Sequence, residues 1–287
     1  MAEMPFLLSI LMHTCAHKHK QKECCIMSKN IVFYFSGTGN SFKVAKDIAK
    51  EMQNCEIISM GSSKAYDLQS EYETIGFVYP TYFRGEPIKV REFITRLNLQ
   101  NNKNAYYFAV ATCGKYKGNA LIHIKHLLKR KNIALNYAKM LDMFSNYVVT
   151  YDMRDTIEEE TKQSEKDLIP IIQSIKNKET NKLSITEPLQ EIVYKVLIKF
   201  PPNMDKNYNV SDACTGCGIC KKVCPVGNID LDDNNRPYFK HHCEQCVACI
   251  QYCPNRAINY KNKTQSRKRY THPSIKYTEL AKMNKND

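Results

Sequence analysis

Eight cysteines fall within the forty residues from Cys214 to Cys253, and their spacing leaves few choices for what this part of the chain can fold around. The run Cys214-x2-Cys217-x2-Cys220-x3-Cys224-Pro225 recurs as Cys243-x2-Cys246-x2-Cys249-x3-Cys253-Pro254, with twenty-nine residues between matching positions. Thiols spread evenly would suggest an extracellular disulfide framework. A tight, repeated set behind a cysteine-poor body suggests metal ligation in a reducing, cytoplasmic compartment. Zinc is served by two Cys-x-x-Cys pairs and has no use for a third step, a fourth cysteine at x3 and a following proline, twice over. Three thiolates on one turn can grip three irons, and a fourth from elsewhere completes an iron–sulfur cube.

These two runs resemble the bacterial-type ferredoxins that carry two [4Fe-4S] clusters, over about residues 206–262. The resemblance implies that the fourth cysteine of each run serves the other cluster. One cluster then takes Cys214, Cys217, Cys220 and Cys253, and the other takes Cys243, Cys246, Cys249 and Cys224. Apolar residues between the ligands, among them Ile219, Val223, Val247 and Ile250, form a small core that also restricts water around the clusters.

A chain of 287 residues has room for a second domain. Apolar runs recur at Ile31–Phe35, Glu56–Ile58, Thr74–Tyr79, Ala105–Ala111 and Ile133–Leu141. Between them lie helical patterns: Phe42 to Met52, Ile88–Leu97, Ala120–Arg130 and finally Ile157–Lys176. Strands alternating with helices predict right-handed crossovers and an α/β, doubly wound parallel sheet of five strands over residues 28–180.

Three loops at the C-terminal ends of these strands stand where open parallel sheets bind ligands. The first, Ser36-Gly37-Thr38-Gly39-Asn40-Ser41, turns amides and hydroxyls toward one point at a helix N-terminus. It lacks the Gly-Lys-Ser/Thr of a Walker loop and the third glycine of a dinucleotide fingerprint, which suits a lone phosphomonoester. The others are Tyr79-Pro80-Thr81-Tyr82-Phe83-Arg84-Gly85-Glu86-Pro87 and Ala111-Thr112-Cys113-Gly114-Lys115-Tyr116-Lys117-Gly118. With these loops residues 28–180 resemble the flavodoxin family. That resemblance implies a sheet order of 2-1-3-4-5 and bound FMN, with the phosphate in the first loop and the ring between Pro80–Gly85 and Thr112–Gly118. Many flavodoxins stack tryptophan on the flavin; this chain has none, leaving Tyr82, Phe83 or Tyr116 for that task. Cys113 either faces the flavin or is a small buried residue. Arg84 and Lys115 either set positive charge beside the flavin or are solvated.

The order of the two domains, with Arg269-Tyr270 and His272-Pro273 beyond the last cysteine, resembles a family of flavodoxin–ferredoxin fusion proteins of anaerobes. It implies an electron-transfer protein relaying electrons between FMN and two [4Fe-4S] clusters and on to redox partner proteins, without specifying donor or acceptor. No protein acid, base or nucleophile is needed for that. The alternative is an FMN-dependent iron–sulfur reductase acting on a small-molecule acceptor. Residues 1–27 read as a leader, or as sequence ahead of a true start at Met27, and residues 181–205 as a linker or a helix packed between domains. The formal charge is +13, and residues 263–287 read as a basic tail that would dock an acidic redox partner in preference to nucleic acid. The longest apolar run, Phe6 to Met12, is far short of the roughly 20 residues that cross a bilayer as a helix. His123 and His126 read as surface or boundary residues, and His241-His242 as neighbours of the second run of cysteines.

Overall fold

The computed structural model describes residues 29–61, 68, 70–114, 116–183 and 187–284; the expected leader and Lys115 lie outside them. Strands β1 (Asn30–Tyr34), β2 (Cys55–Ser59), β3 (Thr74–Pro80), β4 (Tyr106–Cys113) and β5 (Tyr137–Asp142) form one parallel sheet in the order β2-β1-β3-β4-β5. Near-continuous burial of β1, β3 and β4 fits a sheet covered on both faces. Helices α2 (Ile88–Arg96) and α3 (Ala120–Lys129) cover one face, over Phe33, Phe77 and Tyr107. On the other face, α1 (Asn40–Glu51) and α4 (Ile157–Lys176) pack over Val32, Val78 and Phe108.

The fifth strand starts four residues later than its apolar run suggests. Asn132 is left-handed (φ 59°) and the Ile133 amide bonds back to the Leu128 carbonyl at 3.1 Å. Ile133 therefore closes the C-terminus of α3 and is buried there, a role that leaves its hydrophobicity unchanged but takes it out of the sheet.

Residues read as a linker form α5 (Pro188–Leu197), with proline at its first turn, and the short α6 (Pro201–Met204). The C-terminal domain pairs β6 (Tyr208–Val210) with β9 (Ile258–Tyr260) and β7 (Ile229–Leu231) with β8 (Pro237–Phe239), around helices α7 (Ile219–Val223) and α8 (Ala248–Gln251). The sequence duplication is also a backbone duplication. Gly216, Gly218 and Gly227 are left-handed, and so are Gln245, Val247 and Arg256, each twenty-nine residues on.

The expected basic tail is folded through residue 284, its last three residues lying outside the described ones. Tyr270, His272, Ile275 and Leu280 are buried, and α9 (Tyr277–Met283) returns to α1 and β2 of the other domain. Glu279 pairs with Lys46, and the Ser59 hydroxyl donates to Asn284 at 3.0 Å. The lysines and arginines of this stretch had masked an apolar spacing, Ile275 and Leu280, that buries against α1.

Candidate functional site

One cavity of about 410 Å³ opens where all three strand-end loops meet, within the range typical of small-molecule sites. It is lined by Ser36, Gly37, Thr38, Asn40 and Ser41, by Pro80, Thr81, Tyr82, Phe83 and Arg84, and by Thr112, Cys113, Gly114 and Tyr116. Helix α1 begins at its floor with Gly39 at the cap and no side chain capping it. Its first-turn amides have no intrahelical partner by construction, so the helix end is open to an anion.

The polar side chains of the first loop divide into two kinds. Asn40 is a strut: its Nδ2 donates to the Phe144 carbonyl at 3.2 Å, and its Oδ1 accepts from the Tyr270 hydroxyl at 2.8 Å. The Ser36 hydroxyl accepts from the Gly39 amide at 3.2 Å, tightening the turn. Ser41 and Thr112 share a hydroxyl–hydroxyl bond of 2.8 Å, and Thr38 accepts from Asn146 at 2.8 Å. Those hydroxyls retain further capacity toward the cavity.

Gly39, Gly85 and Gly118, expected among the cofactor contacts, stand behind the wall instead of in it. A Cβ on Gly85 would meet the Tyr194 ring at 2.3 Å, and one on Gly118 (φ 59°) would meet the Arg84 carbonyl oxygen at 2.0 Å. Gly39, at φ 104°, packs beneath His272 and Ile275. Cys113 lines the cavity, yet its thiol donates to Asp142 at 3.1 Å, and burial followed by that carboxylate pushes its pKa up to about 12. Of the stacking candidates, Tyr82 is held at the cavity wall and burial raises its phenol well above the ordinary value, Phe83 meets Tyr147 edge-on at 6.4 Å, and Tyr116 lies under Arg84 at 4.5 Å.

Apart from Leu197 of α5, two groups on the wall were not read from the sequence. Residues 143–151, the loop after β5, contribute Phe144, Asn146, Tyr147 and Tyr151. The rule that ligands sit at the C-terminal ends of parallel strands points to this loop as well as to the other three. The second group is Gln245, Cys246 and Val247, from the second run of cysteines.

The cysteines gather around two smaller cavities. Cys214, Cys217, Cys220 and Cys253 line one; Cys224, Cys243, Cys246 and Cys249 line the other. Among the described residues all ten cysteines are unpaired, and no set of three or more His, Cys, Asp and Glu side chains converges on a point for a single metal ion. Burial, then neighbouring thiols, hold Cys246 and Cys249 well above the ordinary thiol pKa. Burial, partly offset by the Gln245 amide, pushes Cys243 up to about 12. So dense a set of buried thiols is costly to ionise alone and is compensated by iron, which fits the donor set to an iron–sulfur cluster. Amides of Asn228, Gln245 and Ala257 donate to the sulfurs of Cys224, Cys243 and Cys253 at 3.2–3.3 Å.

Cys246 and Val247 belong to both the large cavity and the second thiol cavity. A Cβ on Gly37 would lie 2.6 Å from the Cys246 carbonyl oxygen and 2.8 Å from its Cβ, so the phosphate-type loop and the cysteine loop touch backbone to backbone. Val247 is a β-branched residue at φ 55°, a strained conformation held at this shared wall. The contact is fastened around its rim. Glu244 accepts from the Ile88 and Lys89 amides at 3.1 and 2.5 Å, capping α2, and burial pushes its carboxyl up to about 7 against those amides. The Thr38 carbonyl accepts from the His272 amide at 2.9 Å and from the Tyr252 hydroxyl at 3.3 Å.

His123, expected near the surface, is buried between two carboxylates: Nδ1 bonds Glu86 and Nε2 bonds Glu191 of α5 at 2.5 Å. Glu86 also binds Arg91 at 2.7 Å, and the Tyr194 hydroxyl donates to the Glu86 carbonyl at 2.9 Å. This network clamps α5 to the sheet domain.

A model of the 4Fe-4S dicluster domain matches residues 206–254, and a model of the flavodoxin domain matches residues 31–136. An uncharacterized ferredoxin of Methanocaldococcus jannaschii is 39% identical over 54 residues, 17% of this chain and 70% of that protein. Ferredoxin-2 of Chlorobaculum tepidum is 30% identical over 53 residues, 16% of this chain and 86% of that one. A component of the ion-translocating oxidoreductase complex of Methanosarcina acetivorans is 35% identical over 48 residues, covering 17% of this chain and only 18% of that protein's length. Among solved structures, a short-chain flavodoxin associated with a PDU bacterial microcompartment matches 51% of this chain and 99% of its own at 16% identity, TM-score 0.32. An FMN-dependent NADH-azoreductase from Bacillus anthracis matches 51% of this chain and 100% of its own at 10% identity, TM-score 0.34. No helix among the described residues is long and apolar enough to cross a membrane.

Proposed function

The chain belongs to the flavodoxin–ferredoxin fusion proteins, bringing FMN and two [4Fe-4S] clusters into one polypeptide, and we propose that it relays electrons between them and on to redox partner proteins. When bound, clusters exchange single electrons and flavin one or two, which joins one-electron partners to a two-electron couple. The observation that carries this reading is the shared wall: Cys246 and Val247 face both the cavity of the strand-end loops and the cavity of the second thiol set.

In this reading Cys214, Cys217, Cys220 and Cys253 hold one cluster, and Cys224, Cys243, Cys246 and Cys249 hold the flavin-proximal one. The open N-terminus of α1 and the hydroxyls of Thr38 and Ser41 bind the FMN phosphate, while Asn40 fixes the loop against Phe144 and Tyr270. Tyr82, Phe83, Tyr116 and Tyr147 flank the ring, and buried Val247 and Ile250 keep water from the proximal cluster. The domains run over residues 28–180 and 206–262, joined by α5 and α6, and the unpaired thiols suit a reducing cytoplasm.

One observation favours a small-molecule reductase as the second reading: the cavity rim is solvent-exposed at Tyr116 and Tyr151. Anaerobic reconstitution, with iron, sulfide and flavin assayed per chain, tests the first. It predicts about eight iron and one FMN; iron without flavin would overturn it, and rapid turnover of quinones or nitro compounds would favour the second.

A further inference from the structure

The loop after β3 reaches the cavity as a tight hairpin. Tyr82 and Gly85 exchange two backbone hydrogen bonds of 2.9 Å, and the residues between them, Phe83 and Arg84, are both left-handed, at φ 50° and 75°. Such turns ordinarily take asparagine or glycine at these positions. Phenylalanine at positive φ is strained, so the turn persists only where its surroundings hold it. Both residues line the cavity. Their surroundings are α5 and the start of α3. Gln190 of α5 accepts from the Arg84 guanidinium at 2.7 Å, and the Tyr194 ring fills the space that a Cβ on Gly85 would take. The Asn119 amide donates to the Arg84 carbonyl at 2.8 Å, while the Asn119 side chain exchanges bonds of 3.1 and 3.2 Å with the backbone of Glu187. Leu197, at the end of α5, is itself part of the cavity wall.

Helix α5 has little apolar packing to keep it in place, since Tyr194 is its one buried residue. It is fastened instead by the bridge through His123, and that bridge needs a proton. Nδ1 faces Glu86 and Nε2 faces Glu191 at 2.5 Å, and only the imidazolium has two N–H groups to give. Glu86 is fully enclosed and also accepts from Arg91 of α2 at 2.7 Å. The Glu191 side chain is 24% exposed, with its other oxygen 3.4 Å from Lys195. When the proton leaves for water, the remaining N–H stays with enclosed Glu86, and Glu191 is left against a lone pair. The Tyr194 ring lies 4.8 Å from the imidazole, with Glu244 beyond it, and Lys125 and His126 of α3 are exposed. Burial lowers the His123 pKa, but the two carboxylates outweigh it, so the bridge survives above the ordinary 6.5.

We propose that the Glu86–His123–Glu191 bridge positions the cavity turn: with His123 protonated, α5 holds Phe83 and Arg84 in the form that binds FMN, and loss of the proton loosens α5 and lets the turn relax. His123 touches no cofactor and acts through α5, as a positioning residue. The inference rests on FMN occupying the cavity and does not require the electron relay.

The test is fluorescence titration of FMN onto the full, iron-loaded chain from about pH 6 to about pH 9, for wild type and His123→Gln. The FMN phosphate has its own second ionisation near about pH 6, so the readout is the ratio of the two affinities at each pH. Wild type is expected to bind more tightly near the acid end. The ratio should fall as pH rises through the raised His123 value, by at most about tenfold per pH unit for one proton, and then level off. Glu191→Gln, a change at a partly exposed site that keeps the side chain's size, should flatten the wild-type profile. Retained iron shows that each variant is folded. A ratio that stays constant with pH would mean that His123 gives only structural support and would overturn the proposal, as would a ratio of one throughout or a profile unchanged in Glu191→Gln. Wild type that binds no FMN at any pH would overturn the FMN reading and this inference with it, whereas tight binding at a constant ratio overturns the positioning role alone.

Discussion

Replacing Gly37 by alanine puts a methyl group between the loop that starts α1 and the loop that carries Cys246. The backbone of Gly37 lies outside the left-handed region, so alanine's conformation is acceptable and the effect is steric. The new Cβ would stand 2.6 Å from the Cys246 carbonyl oxygen, 2.8 Å from the Cys246 Cβ and 3.2 Å from the Tyr82 hydroxyl. Reaching an ordinary 3.4 Å contact requires the loops to part by about 0.8 Å, and two of the three obstructing atoms cannot rotate away. Overpacking of this kind costs about 1–3 kcal/mol. If that cost falls on the closed contact, FMN affinity drops by about 5- to 150-fold, and flavin–cluster electron exchange slows with it. Fluorescence titration of FMN onto the iron-loaded chain measures the first, and flash photolysis the second. Gly76→Ala is the control: its Cβ would meet the Phe108 ring at 2.1 Å inside the sheet domain, lowering stability without reaching the shared wall. Gly37→Ala with unchanged FMN affinity and exchange rate would refute the reasoning.

The His123 clamp makes stability depend on pH. Burial lowers the His123 pKa, but Glu86 and Glu191 outweigh it and the net shift is upward from 6.5. Its contribution is therefore complete below pH 6.5 and is lost as pH rises through the raised folded value. Glu191 is destabilised by burial but lowered overall by His123, so its share persists above 4.5 and is lost on further acidification. The stability difference between wild type and His123→Gln should peak between those two values and shrink toward alkaline pH in urea titrations; a flat difference would contradict the clamp. Cys253→Ser should reduce iron from about eight to about four per chain while leaving exchange between flavin and the other cluster in place, whereas Cys224→Ser should abolish that exchange. Cys113, with a pKa of about 12, should resist iodoacetamide at about pH 8 in the folded protein and react on unfolding, as mass spectrometry of the alkylated peptide would show.

The parallel sheet was legible because burial on both faces writes strands as continuous apolar runs that alternate with helices, while its order came from the resemblance of the three strand-end loops to flavodoxins. Cys246 was legible as a candidate cluster ligand from its spacing, but not as part of the wall of the strand-end cavity, since a cysteine repeat does not say which side faces another domain. Asn40 stands in the loop expected to hold a phosphate, and its residue type suits a donor there. Only the placement of Phe144 and Tyr270, 104 and 230 residues away, shows the side chain already engaged. His123 misled for a similar reason: a histidine on an amphipathic helix gives no sign of two carboxylates arriving from other elements. The C-terminal stretch was obscured by its own charge, although Ile275 and Leu280 carried the signal of a packed segment.

The most direct test of the central claim is laser-flash injection of a single electron into the fully loaded protein, following flavin and cluster absorbance at several protein concentrations. The shared wall at Cys246 predicts that the electron redistributes between flavin and proximal cluster in a first-order phase whose rate is independent of protein concentration. A rate that rises in proportion to concentration would mean that flavin and clusters exchange electrons only between molecules, and would contradict the internal relay.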